Sequence, residues 1–361
     1  MAARHYLRPV QFVDTPVGRD GEVARLAGGL GWFAAWEWIA REGGGITKRT
    51  VPVAVLADLP EAELLMPIAE RVTARRPALT LGTRVLRFDQ PQVMGILNLT
   101  PDSFSDGGKH AGDLAAAAQA GVDMTIHGAA VVDVGGESTR PGAEEVWEGD
   151  EIARVLPAIE RLAGSGAIVS VDTRKAEVME AALRAGAHVV NDVAALLWDP
   201  RGLDVVARAG CPVVLMHSPD PAKGPHGGVM GGSYGDVLLD VYDWLERRVA
   251  EVAAAGVERS KILVDPGIGF GKSLADNLAL LNGLSLFHGI GCPIVVGASR
   301  KRMIGALSNE APAEARLGGS VALALKGAEQ GAQLVRVHDV FETVQALRVW
   351  RGMRDAALVA R

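Results

Sequence analysis

Eight short apolar runs, each closed by polar groups, constrain this chain more than any other feature. They are "VMGIL" (93–97), "VVDV" (131–134), "IVSV" (168–171), "HVVN" (188–191), "VVLM" (213–216), "ILV" (262–264), "IVVG" (294–297) and "LVRV" (334–337). Amphipathic or alanine-rich stretches separate them, among them "DLAAAAQAGVDMTIHG" and "EIARVLPAIERLAG". Near-continuous apolar runs rich in β-branched residues describe strands buried on both faces, as parallel sheets require. Eight strand–helix units in about 265 residues have the count and size of a TIM (β/α)8 barrel, an α/β fold. A doubly wound sheet is the alternative, but it usually carries fewer such units.

The polar residues fall where a barrel would use them. The runs end in Asn98 and Thr100, then Glu137, Ser138, Thr139 and Arg140, then Asp172 and Arg174, then Asn191 and Asp192. His217, Asp265, the trio Ser299, Arg300 and Lys301, and finally Arg336 and His338 follow. The C-terminal ends of all eight barrel strands meet at one mouth, where active sites are built. A single Asp after a strand is more often a helix cap or turn residue, a reading that suits Asp192 and Asp339. Eight polar tips in succession are better explained by a site. The starts of the runs are bland by comparison: "GAH", "GCP", "GCP" and "GAQ".

One tip imitates a nucleotide loop. "DPGIGFGKS", Asp265 to Ser273, runs through three glycines into a Lys and a Ser. A P-loop needs a Gly five residues before the Gly of its Gly-Lys pair. That position is Pro266, so the loop is not a nucleotide cradle.

Composition narrows the function classes. The chain has 361 residues, 48% hydrophobic and 22% charged, which suits one large domain with an attachment or two domains. The net charge of -6 argues against nucleic acid as a partner, so an anionic substrate must be drawn by a local cluster. The apolar stretch "LAGGLGWFAAWEWIA" is too short to span a bilayer and contains Glu37, so no membrane association is expected. Cys211 and Cys292 each precede a proline and an apolar run, as buried, inert thiols do. Such usage fits a reducing compartment, the cytoplasm.

Read in order, the tips "MGILNLTPDSFSDGG", "VDVGGESTRPGA", "SVDTRKAEV", "GAHVVNDV", "DPGIGFGKS", "GASRKRMIG" and "RVHDV" closely resemble the dihydropteroate synthase family. The resemblance covers about residues 91 to 354. It implies a pterin-binding TIM barrel over 89–356 that joins 6-hydroxymethyl-7,8-dihydropterin diphosphate to 4-aminobenzoate. The products would be 7,8-dihydropteroate and diphosphate, with Mg2+ as cofactor and a homodimer as the assembly.

The chemistry of the tips suits those substrates. A pterin edge carries several N–H donors and needs acceptors, which Asp172, Asn191 and Asp265 offer at three strand ends. By resemblance Asp265 reads that edge and Lys301 lines the pterin pocket, with Phe270 and Met216 in its wall. Arg336 and His338 flank Val337 and so point to one side of the last strand, where they suit the diphosphate. Asp172, Lys301, Arg336 and His338 are the candidate catalytic residues. Asn98 offers Mg2+ an oxygen, an assignment that the resemblance carries. Ser299, with Thr139 and Arg140 nearby, should meet the aminobenzoate carboxylate. The first loop, Thr100 to Gly108, should close over the site.

Two segments depart from the family. The fifth strand continues as "MHSPDPAKGPHGGVMGGSYG", so His217 is given no catalytic role. Residues 1 to about 88 have no counterpart in the minimal enzyme. They hold Trp32, Trp36 and Trp38 and the helical stretch "EAELLMPIAERVTARR", and are too apolar for a disordered tail. A small folded appendage, packed on the barrel or on a partner subunit, is expected there. Among rivals, a Schiff-base aldolase using Lys301 explains neither "GESTRPG" nor "DPGIGFGK". A non-catalytic or methyl-transferring pterin-binding barrel is the closer alternative, and it has no need of an aminobenzoate pocket.

Overall fold

The computed structural model describes residues 3–100, 114–139, 143–223 and 234–359. The chain starts with an antiparallel sheet. Strand β1 (Arg4–Val13) pairs with β3 (Trp32–Glu42), and β3 pairs on its other side with the short β2 (Ala24–Arg25) and with β4 (Gly45–Pro52). Helix α1 (Ala62–Thr73) packs on it, and Leu7, Phe33, Trp36, Val51, Leu65 and Val72 form their shared core. A hairpin follows, β5 (Leu79–Leu81) and β6 (Arg84–Leu86).

Eight parallel strands then form one sheet. They are β7 (Gln92–Asn98), β8 (Val131–Gly135), β9 (Val169–Asp172), β10 (Val189–Asp192), β11 (Val213–Met216), β12 (Ile262–Asp265), β13 (Val295–Val296) and β14 (Leu334–Val337). β14 pairs with both β7 and β13, and a bridge from Val264 to Ile294 brings β12 to the start of β13 and completes the ring. The helices between and after them are α2 (Leu114–Ile126), α3 (Glu148–Gly164), α4 (Ala176–Arg184), α5 (Gly202–Ala209), α6 (Val237–Ala254), α7 (Leu274–Asn282), α8 (Arg302–Leu307), α9 (Leu317–Glu329) and α10 (Val340–Ala357). The expected α/β barrel is therefore the observed fold.

Strand alternation sorts the side chains. Val132 and Val134 of β8 face the helices in the largest core cluster, and Asp133 between them turns into the barrel. At the N-terminal end, Met94, Val131, Val189, Val214, Leu263, Val295 and Leu334, with Ile168 from just before β9, form a ring. Leu79, Leu81, Leu86 and Phe88 close it from below. The hairpin thus lies within the segment 1–88 yet serves as the barrel floor. The floor is sealed by apolar packing and polar chemistry collects at the other end. Among the described residues, no helix is long and apolar enough to cross a membrane.

The N-terminal sheet docks on α6 and on the 3-10 turn Leu284–Ile290. Tyr6 and Ile39 join the main core, Ser285 Oγ donates to the Pro9 carbonyl at 3.0 Å, and Arg71 and Arg76 donate to the carbonyls of Gly289 and His288. Both cysteines are buried free thiols, as their sequence setting suggests.

Candidate active site

A carboxylate inside an apolar strand must find a partner, because an unpaired buried charge is strongly unfavourable. Asp133, fully buried in β8, finds two. Its Oδ2 accepts from Arg336 Nε at 2.6 Å and from Asn191 Nδ2 at 2.9 Å. Arg336 reaches on with Nη2 to Asp172 Oδ2, also at 2.6 Å. Four strands, β8, β9, β10 and β14, are thereby tied together inside the barrel by one guanidinium and three side chains. Burial opposes the charge of Arg336, but Asp133 and Asp172 outweigh it and hold its pKa above the ordinary value. Burial also pushes the Asp172 carboxyl upward, against the pull of Arg336 and with Asp133 adding to the rise.

This changes the expected picture of Arg336, which is not a free cation awaiting a diphosphate. Two of its edges already hold carboxylates, so Nη1 and the second N–H of Nη2 are left for a ligand. Asp133 is the residue that the sequence reading missed. Its signal was present, a single acid interrupting "VVDV".

Across the mouth, β12 ends in Asp265 and the glycine turn. Asp265 Oδ1 accepts the Gly267 N–H at 2.7 Å, and no described residue bonds Oδ2. The carboxylate therefore caps its turn with one oxygen and leaves the other for the mouth. Burial raises its pKa. The turn needs glycine at 267: φ is +70°, and a Cβ there would stand 1.9 Å from the His217 carbonyl oxygen. Lys272 points into the same turn. Its buried Nζ donates to the carbonyls of Gly267 at 2.9 Å, Phe270 at 3.2 Å and His217 at 3.3 Å. Burial lowers its pKa to about 7. Lys272 is thus a clasp that holds the loop, which answers why a lysine follows these glycines.

Lys301, half-buried at the N-cap of α8 in the loop after β13, lies with Nζ 3.8 Å from the centre of the Phe270 ring. Burial, with Arg336 nearby, lowers its pKa to about 8. Phe270 shares a small apolar cluster with Val193 and Met216, so the two expected wall residues lie in one cluster. Ser299 Oγ accepts the backbone N–H of His338 at 3.2 Å and lies 3.1 Å from His338 Nδ1. A hydroxyl that accepts the one and donates to the other leaves the ring proton on Nε2. Burial, with Arg336 and Arg300 close by, lowers the His338 pKa to about 3, so the ring is a neutral donor rather than a cation.

Several tips are structural. Asp192 accepts from the N–H groups of Ala194 and Leu196 and caps its turn as expected. Asp339 does not cap α10; it pairs with Arg300, whose Nε lies 3.1 Å from Oδ2. Glu137 binds Arg174 and Lys175 and accepts the Val146 N–H at 2.9 Å, so it fixes the return of the second loop. His217 is buried between the rings of Tyr234 and Trp244. Thr139 is half-buried at the rim. Arg140, residues 101–108 of the first loop and residues 224–233 of the fifth lie outside the described residues.

Asn98 ends β7 with its side chain half-buried, and no described residue bonds that side chain. Among the described residues there is no group of three His, Cys, Asp or Glu that could hold a metal ion. Among the described residues, Asn98 thus offers a neutral oxygen with no cage of acids or histidines around it. That suits Mg2+, which keeps its waters and binds mainly through substrate phosphates.

Known proteins share this fold. The family described as Pterin binding enzyme matches residues 94–338. The dihydropteroate synthase of Escherichia coli is 46% identical over 265 residues, 73% of this chain and 92% of that protein. A Xanthomonas albilineans dihydropteroate synthase solved with 4-aminobenzoic acid is 47% identical with a TM-score of 0.71, covering 77% of this chain and 98% of that one. The enzyme from the same organism in complex with 7,8-dihydropteroate is 44% identical with a TM-score of 0.69, over 77% of this chain and 99% of that one. Barrel, polar mouth and matched family together define the class: a pterin-binding enzyme. Within that class, the chain belongs to the dihydropteroate synthase family.

Proposed function

We propose that this chain condenses 6-hydroxymethyl-7,8-dihydropterin diphosphate with 4-aminobenzoate, giving 7,8-dihydropteroate and diphosphate. The observation that carries the reading is the acceptor set at the mouth: Asp172, Asn191 and the open oxygen of Asp265 around one guanidinium. A pterin edge presents several N–H donors, and carboxylate acceptors bind them most strongly. Lys301 would donate to a ring acceptor while Phe270 flanks the ring. Arg336 Nη1 and the neutral His338 Nε2 would donate to the diphosphate. Ser299 is held by His338, and its hydroxyl would turn its one proton from His338 Nδ1 to the aminobenzoate carboxylate, with Thr139 and Arg140 on the second loop.

The aromatic amine is neutral at pH 7 and needs no strong base. The difficult step is departure of diphosphate from the pterin methylene, and the electron-rich ring can delocalise the positive charge that develops. Fixed donors aimed at the leaving oxygens lower that barrier. Mg2+, with Asn98 as its protein oxygen, would neutralise charge on the departing diphosphate. No covalent enzyme intermediate is required. Closure of the first loop would exclude water that could capture the cation.

We also read the chain as cytoplasmic, on its two free cysteines, and as a homodimer, on the family resemblance. Light scattering at 37.8 kDa in place of twice that mass would overturn the dimer. Incubation with both substrates and Mg2+ tests the function. It should yield dihydropteroate and diphosphate in equal amounts, and omission of 4-aminobenzoate should abolish product. Pterin binding without aminobenzoate-dependent turnover would favour the non-catalytic pterin barrel. In the same assay Asn98→Ala should raise the Mg2+ concentration needed for half-maximal rate.

A further inference from the structure

The N-terminal sheet grips α6 through its acids. Asp240, Asp243 and Glu246 follow at spacings of three, so they lie along one side of the helix. Arg4 pairs with Asp243 at 2.9 Å and also with Glu246, and Tyr6 Oη donates to Asp243 at 2.9 Å. These contacts attach the sheet. Arg41, at the end of β3, does something different. Its Nη1 donates to Asp240 Oδ1 at 2.6 Å. The other oxygen of Asp240 accepts the backbone N–H groups of Gly235 at 2.8 Å and Asp236 at 3.3 Å. Gly235 and Asp236 are the point at which the fifth β–α loop returns to the barrel. One carboxylate thus joins the N-terminal sheet to the end of a mouth loop.

The contacts continue to the site. Tyr234, the next residue back, lies with its ring 6.1 Å from that of His217. Trp244, one turn beyond Asp240 on α6, meets His217 from another side at 5.0 Å between ring centres. These residues, with Pro219, Asp243 and Arg247, line a cavity of about 440 Å3. The His217 carbonyl accepts from Lys272, and its N–H donates to the Asp265 carbonyl at 2.9 Å. The same carbonyl leaves no room for a side chain at Gly267. The His217 backbone is therefore the support on which Asp265 and its turn rest.

We propose that Arg41 is a positioning residue for the pterin side of the site, acting through Asp240 on the returning end of the fifth loop. On this account the N-terminal sheet is a working part of the site as well as an attachment. The proposal rests on the pterin assignment of Asp265 made above.

The experiment uses the full chain and compares Arg41→Ala, Arg41→Lys, Asp240→Asn, the double variant and Asp265→Asn. KM for each substrate, kcat and the thermal midpoint are measured. Arg41 and Asp240 are partly exposed, so the effect should be modest. Arg41→Ala should raise KM for the pterin diphosphate about three- to fivefold, with KM for 4-aminobenzoate changed less than about twofold. Arg41→Lys should recover part of the loss, and Asp240→Asn should add less to Arg41→Ala than to the parent. Equal rises in both KM values, or no rise in either with Asp265→Asn still impaired, would overturn the positioning role and leave the pterin site standing. Normal pterin use by Asp265→Asn and Arg41→Ala alike would overturn both.

Discussion

Asp265 shows how one residue can satisfy two readings at once. Its Oδ1 holds the Gly267 N–H, as a turn cap would, and its other oxygen accepts from no described residue. Asp265→Asn can keep the cap, because the amide oxygen can take the place of Oδ1. It then presents an N–H to pterin donors. A lost charged hydrogen bond with an unpaired partner costs about 2–4 kcal/mol, or roughly a 30- to 1000-fold loss of pterin affinity. Calorimetry should find that loss with the thermal midpoint little changed; a normal pterin affinity would leave Asp265 as a cap alone. Lys301 gives a pH test. Its pKa is lowered to about 8, so its ammonium is present below that pH and is lost as pH rises through it. The value of kcat/KM for the pterin substrate, which reports the free enzyme, should fall above about pH 8. Lys301→Gln should be slower and should lack that limb; a parent profile flat to pH 9.5 would remove Lys301 from the pocket. Most of these residues were legible because they stand at strand tips. Asp133 was passed over because it sits inside a strand, where a single acid in an apolar run was its one signal. The engagement of Arg336 was illegible because its two carboxylates come from strands β8 and β9, distant in sequence.

At the scale of elements, the near-continuous apolar runs located all eight barrel strands. β13 spans only Val295 and Val296, yet its run of four was visible because Pro293 and the glycines bound it. The N-terminal strands were harder to read. β3 is half-buried along most of its length, with tryptophans on it in part exposed, and its length and composition gave no barrel signal. The floor hairpin was missed because its strands have three residues each, and it gains burial only once the ring of eight strand starts exists. The glycine turn after β12 makes a firmer element. Gly267→Ala adds a Cβ against a backbone carbonyl at a positive φ, where no side-chain rotation can relieve it. A stability loss of at least about 2 kcal/mol is expected, with pterin binding lost alongside. Chemical denaturation checks the first and calorimetry the second; a parent-like midpoint would mean that the turn is not held as the structure shows.

The whole molecule is a barrel closed below by its own N-terminal hairpin and gripped on one side by an added sheet. Its functional polarity follows from that arrangement. Apolar residues fill the N-terminal ends of the strands, and the paired charges lie at the C-terminal ends, where one mouth receives both substrates. On the proposed function, binding of the ring, departure of diphosphate and entry of the amine would fall to a single constellation, Asp172, Asn191, Asp265, Lys301 and Arg336. The most direct measurement is a crystal structure of the enzyme soaked with the pterin diphosphate in the absence of 4-aminobenzoate. The pterin should lie at the C-terminal mouth, with its N–H edge within hydrogen-bonding distance of the open oxygen of Asp265 and of Asp172, and its diphosphate toward Asn98 and His338. A fully occupied pterin elsewhere, or one at the mouth that turns its ring away from Asp265, would contradict the account.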